Sequence, residues 1–188
     1  MSIKQLSQRD PKWASAKLPG GGTIGAIGCT VTCIAMLLGT TPDVVAKNDI
    51  FTGNLVVWAK LVGKGSPVSI KSAFRYYTYR NDVALETIRL YGAVLVEVDA
   101  RVIGGAPSGK HWVLFVGNQK AFDPWDGKVY PTSRYTLTGM AVLGTSQAVS
   151  PQPQPQLLPD IVSGNGITLH KLNDIQGEEG KKAVYVKA

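Results

Sequence analysis

The chain has 188 residues, 44% hydrophobic and 18% charged, and its 20 Lys and Arg outnumber 13 Asp and Glu for a net charge of +7. That length holds one well-packed domain plus an appendage. No apolar stretch approaches a membrane span, and two cysteines are too few for a disulfide scaffold.

Taken in chain order, the first strong signal is a buried helix opening at Cys29 and running through the apolar segment Val31 to Leu38. Thr41-Pro42-Asp43 has the cap-then-proline form of a second helix start. The run 54–61 reads as a further helix stopped by Gly63, and 81–91 as another, capped by Gly92. Strand signals follow at 93–98, 111–117, 120–123 and 140–143. Between the helices, Phe74-Arg75-Tyr76-Tyr77-Thr78-Tyr79-Arg80 alternates as a surface strand or loop, with Arg75, Tyr77 and Tyr79 on one face. Helices ahead of a mostly antiparallel sheet predict an α+β domain with the Cys29 helix packed on the sheet.

Chemistry concentrates at three points. A thiol at a helix N-terminus meets unpaired backbone N–H groups and the positive end of the helix dipole, both of which favour the thiolate. Gly28 before it is small enough for a substrate backbone to approach the sulfur. His111, in His111-Trp112-Val113, is the one histidine of residues 1–147, the other being His170, so it is the natural neutral-pH base. Asp123, in Asp123-Pro124-Trp125, supplies a carboxylate that could orient an imidazole, while Asp126-Gly127 marks a separate tight turn. Each residue also has a plain reading: Cys29 as core, His111 as a strand-end histidine, Asp123 as a turn initiator. Cys33, one turn after Cys29, reads as packed and inert, and a disulfide between the two would distort the first helical turn. Trp13, Trp112 and Trp125 read as buried.

With Gln8-Arg9-Asp10-Pro11-Lys12-Trp13 added, the chain resembles the C39-like branch of the papain-like cysteine peptidases. That family shows a Gln-x-Asp-x-x-Trp opening, a Gly-Cys helix start, a His-Trp-Val strand and an Asp-Pro-Trp turn in this order, and about residues 5–145 carry the likeness. The resemblance implies a papain-like fold, with Cys29 as nucleophile, His111 as general base and then acid, Asp123 as the orienting group and Gln8 as oxyanion donor. Gln5 competes with Gln8 for that last role. It implies no cofactor and a peptide or peptidoglycan substrate.

Gly104 to Lys110 matches part of a phosphate-binding loop, but His111 stands where Ser or Thr should bind magnesium and a strand follows where a helix is needed. These glycines are read instead as a flap beside the active site. The two cysteines provide no four-ligand metal set. The predicted domain ends at residue 147, a Pro/Gln-rich spacer of polyproline type spans 148–159, and a tail spans 160–188. The tail carries four lysines against four carboxylates, so the whole excess of +7 lies on residues 1–159. A basic body is drawn to anionic polymers, of which bacterial wall material is favoured over nucleic acid.

The tail is expected to dock on a protein partner within a larger assembly. The N-terminal residues lack a signal-peptide core, so cytoplasmic synthesis is expected, followed by virion association or release without classical secretion. Two readings follow: a phage- or bacterium-derived, wall-directed cysteine peptidase, or a structural or recognition component of a particle that retains a peptidase scaffold without turnover.

Overall fold

The computed structural model describes residues 3–63, 70–100 and 109–145. Residues 104–108 of the expected flap, the spacer at 148–159 and the tail at 160–188 that is expected to dock on a partner lie outside these residues. Among the described residues, no helix is long and apolar enough to cross a membrane.

The Cys helix forms as expected. A single turn, α1 (Ile24–Ile27), runs into Gly28, and α2 (Cys29–Leu38) starts immediately after it. Glycine is required here because a Cβ on Gly28 would meet the Ile24 carbonyl oxygen at 2.5 Å and its Cα at 2.8 Å. The small residue is thus explained by the packing of two consecutive helical turns, without invoking substrate. A short α3 (Pro42–Ala46) follows, with Pro42 in its first turn after the extended Thr41.

The helix expected over 54–61 does not form. Strands β1 (Phe51–Thr52) and β2 (Leu55–Val56) make a hairpin in which Thr52 faces Leu55, and one 3₁₀ turn covers Trp58–Leu61. Gly53, at φ 58, supplies the left-handed residue that a two-residue hairpin loop needs. The adjacent β-branched Val56 and Val57 disfavour helix. Gly53-Asn54 is the local signal for this hairpin.

Among the described residues the sheet has six strands in the order β3-β8-β4-β5-β6-β7, and every pairing between them is antiparallel. These are β3 (Ile70–Tyr76), β4 (Val94–Asp99), β5 (Lys110–Phe115), β6 (Lys120–Asp123), β7 (Lys128–Pro131) and β8 (Leu137–Thr145). Helix α4 (Asn81–Tyr91) precedes β4 and ends at Gly92, φ 81, as its sequence predicts. The domain is therefore α+β with an antiparallel sheet.

Two apolar clusters sit on the sheet. One combines Val31, Ile34, Ala35 and Met36 of α2 with Leu95, Trp112, Leu114 and Leu143; the other combines Ala84 of α4 with Val94, Val96, Val113, Phe115 and Met140. The alternation along β4 and β5 explains the division, since successive side chains of a strand point to opposite faces. Arg75 departs from the surface role expected of it. Its side chain is only 11% exposed and pairs with Glu97 at 2.6 Å, while Lys110 reaches the same carboxylate at 2.7 Å and the Thr138 hydroxyl donates to it at 2.9 Å. Tyr77, two residues further on, stays exposed.

Gly28→Ala is expected to lower the unfolding free energy by about 1–3 kcal/mol through overpacking against Ile24. Urea denaturation with an unchanged slope and a lower midpoint would show it; an unchanged midpoint would contradict the steric account.

Candidate active site

The opening segment builds one wall of the site. Asp10 accepts from the Lys12 N–H through its side chain and from the Trp13 and Ala14 N–H groups through its carbonyl, which turns the chain. The buried Trp13 indole then donates to the Ser7 carbonyl at 2.7 Å and closes the loop. Gln8 is held between two other parts of the site. Its backbone N–H donates to the Pro124 carbonyl at 2.7 Å, and its side-chain Nε2 donates to the Gly25 carbonyl at 3.1 Å. At 1% exposure Gln8 is a core residue in position and polar in kind, and its Oε1 has no partner among the described residues. Gln5 remains half-buried outside this cluster.

Cys29 is half-buried at the first position of α2. Its N–H is therefore the first of the helix donors without an intrahelical acceptor. Its sulfur is hydrogen-bonded to the His111 imidazole, to the Trp112 backbone N–H and to the Thr30 hydroxyl. His111 stands near the start of β5, 4% exposed, and its Nε2 lies 2.8 Å from Asp123 Oδ1. Because Nε2 faces the carboxylate, Nδ1 is the ring nitrogen left for the sulfur. Asp123, 1% exposed at the end of β6, also accepts the Trp125 N–H on Oδ1 at 2.9 Å and the Tyr135 hydroxyl on Oδ2 at 2.9 Å. Asp126 takes the turn role assigned to it, accepting the Lys128 N–H at 3.0 Å.

All four site residues inferred from sequence, Cys29, His111, Asp123 and Gln8, are thus brought into one cluster. Tyr135 was missed. It sits outside every recognised motif, and only the packing of the chain before β8 brings its hydroxyl to Asp123.

The electrostatics follow from burial set against pairing. Burial alone pushes the Cys29 thiol up, but the His111 hydrogen bond and charge, the Trp112 N–H and the Thr30 hydroxyl outweigh it, so its pKa lies below the ordinary 9.0. Burial would lower His111; the Asp123 carboxylate and the Cys29 sulfur instead raise it from 6.5 to about 9. Burial of Asp123 is likewise overcome by His111, the Trp125 N–H and the Tyr135 hydroxyl, which hold its pKa below the usual value. These shifts favour a thiolate–imidazolium pair at neutral pH. Cys33 behaves oppositely: burial first, then the negative charges of Cys29 and Asp123, push its thiol well above the ordinary value. Both cysteines are free. Among the described residues no cluster of three His, Cys, Asp or Glu side chains is disposed to hold a metal ion.

Comparison of the chain with protein-family models, with curated proteins and with solved structures gave no significant match.

Cys29 is expected to react with iodoacetamide well below pH 9, its rate falling as pH drops through the lowered thiol pKa. In His111→Ala that ionisation moves back up and the rate at pH 6 falls by on the order of tenfold or more, one pKa unit being tenfold. Peptide mapping distinguishes the two cysteines, and Cys33 is expected to stay unlabelled until the protein unfolds. Equal reactivity of wild type and His111→Ala across the pH range would remove the ion pair.

Proposed function

We propose that the chain is a cysteine peptidase-like hydrolase of the C39-like type, cleaving peptide bonds through Cys29, His111 and Asp123. The observation that carries this reading is the continuous hydrogen-bonded line from a helix-terminal sulfur through His111 to a buried Asp123 carboxylate. A buried ionised triad with one half-exposed member has little use in packing. The α+β architecture, with α2 laid on an antiparallel sheet, is compatible with a papain-like fold, and we extend the proposal to that fold.

In this reading the Cys29 thiolate attacks the scissile carbonyl carbon and the carbonyl π electrons move to oxygen. The oxyanion is met by the Cys29 N–H and by the Gln8 Nε2 hydrogen not engaged with Gly25. As the tetrahedral intermediate collapses, the C–N bond breaks and the His111 imidazolium gives its Nδ1 proton to the leaving amine. A thioester remains on Cys29. Neutral His111 then takes a proton from water, whose oxygen attacks the thioester, and collapse releases the carboxylic acid and the Cys29 sulfur. Asp123 keeps Nε2 protonated and the ring aimed throughout.

The excess positive charge of residues 1–159 favours an anionic environment. We therefore place the substrate among peptides of bacterial wall material, with the protein a phage- or bacterium-derived component tethered to a larger particle through residues 160–188. Association with a virion, or release without classical secretion, belongs to the same proposal.

A peptide carrying a thiol-reactive electrophile is expected to label wild type and Cys33→Ala but not Cys29→Ala. Equal labelling of both variants, or none of wild type, would overturn the enzymatic reading in favour of a scaffold without turnover. On a cleaved peptide, Gln8→Ala is expected to lower kcat by on the order of 100-fold with little change in KM, as loss of one oxyanion donor does.

A further inference from the structure

Tyr135 is joined to the site by one contact, yet that contact decides what Asp123 can do. Oδ1 of Asp123 serves both His111 and the Trp125 N–H, so Oδ2 is satisfied through the Tyr135 hydroxyl. The terminal torsion of an aspartate is broad and roughly two-fold, so bonds to Oδ1 alone leave the carboxylate plane poorly defined. A donor on the second oxygen defines it. The tyrosine is itself anchored by the core: it is 7% exposed, belongs to the apolar cluster under α4, and its ring lies 6.5 Å from that of Phe115, which lies 6.4 Å from that of Tyr79. Its backbone N–H donates to the Thr132 carbonyl at 3.2 Å, closing the 3₁₀ turn Thr132–Arg134 that delivers it. The hydroxyl is therefore placed by the far face of the sheet, independently of the Cys29 helix.

We infer that Tyr135 is a positioning residue for the reaction: by donating to Oδ2 it orients the Asp123 carboxylate so that Oδ1 holds His111 Nε2 and Nδ1 stays aimed at Cys29. The inference rests on the peptidase reading of the same site and adds a member to it. Burial, then the charge of Asp123, push the Tyr135 phenol far above its usual pKa, partly offset by Arg134, with Tyr130 the other titratable neighbour. The hydroxyl thus remains a donor wherever the triad works, which a histidine or a carboxylic acid at this position would not.

Removing the hydroxyl leaves the carboxylate without its defined plane. Its Oδ1 then holds His111 Nε2 less well, the imidazolium beside Cys29 loses support, and the thiolate pKa rises.

The test uses the full chain with Tyr135→Phe, Asp123→Ala and the double variant, reading Cys29 alkylation by iodoacetamide against pH with peptide mapping. Tyr135→Phe keeps the ring and its packing. It is expected to shift the ionisation midpoint of Cys29 upward and to slow alkylation at pH 6 by about tenfold, one pKa unit. In the Asp123→Ala background the same change is expected to do nothing further, because Tyr135 acts only through that carboxylate. An unchanged midpoint in Tyr135→Phe, or an equal loss in both backgrounds, would overturn the inference. A wild-type Cys29 that ionises as an ordinary thiol would instead overturn the peptidase reading beneath it. Should Tyr135→Phe fail to fold, the Tyr135 phenol can be followed by carbon NMR in wild type and Asp123→Ala. It is expected to titrate at lower pH in Asp123→Ala; the same titration in both proteins would sink the inference.

Discussion

The molecule depends on how α2 lies across β5. Cys29 and Cys33, one helical turn apart, grip the same residue: the Trp112 N–H donates to the Cys29 sulfur, and the Cys33 thiol donates to the Trp112 carbonyl at 3.5 Å. Residues four apart share a helix face, so this pair spans the main-chain groups of one strand residue. His111 precedes Trp112, and gripping that peptide sets the imidazole beside the helix terminus. A slip of β5 by one residue would send the imidazole to the opposite face of the sheet. Cys33 is inert as an acid for the same reason that it is useful as a clamp: it is fully buried.

The side chains of β5 on either side of the histidine are held as firmly. Lys110 and Trp112 flank His111, and both are bound to the same charged cluster. Lys110 pairs with Glu97, and the Arg75 guanidinium, which also pairs with Glu97, lies 4.7 Å from the Trp112 ring centroid. Trp112 further packs against Trp58 at 5.3 Å. Burying an ion pair is worth little in stability by itself. Its effect here is geometric, tying β3, β4 and β5 together at the level of the histidine.

Within the site, His111 and Asp123 are buried and Cys29 half-buried, so none of the three carries its charge without help. Cys29, His111 and Asp123 are all penalised by desolvation, and each is kept charged by its neighbours. Taking one partner away leaves an uncompensated charge, which is why such clusters respond as a unit. The opening loop completes the arrangement, since Gln8 joins the Asp123-Pro124-Trp125 turn to the residues before Cys29, and Arg9 lies 4.8 Å over the Trp125 ring.

The sequence alone determined the pieces whose physics is local. A helix opening at Cys29 follows from an apolar run behind Gly28, α4 from its length and its Gly92 stop, and strands β4 to β6 from β-branched and aromatic runs. The four motif residues were legible because their chemical types are sparse and their local contexts specific. Where local signals conflicted, the Gly53-Asn54 loop and the β-branched Val56 and Val57 prevailed over the helical pattern of 54–61, whereas tertiary packing turned Arg75 inward to Glu97. The clamp of Cys33 on Trp112 and the hydroxyl of Tyr135 on Asp123 join residues distant in the chain. Such contacts leave no periodicity and no motif, because they exist only once six strands have been put in order.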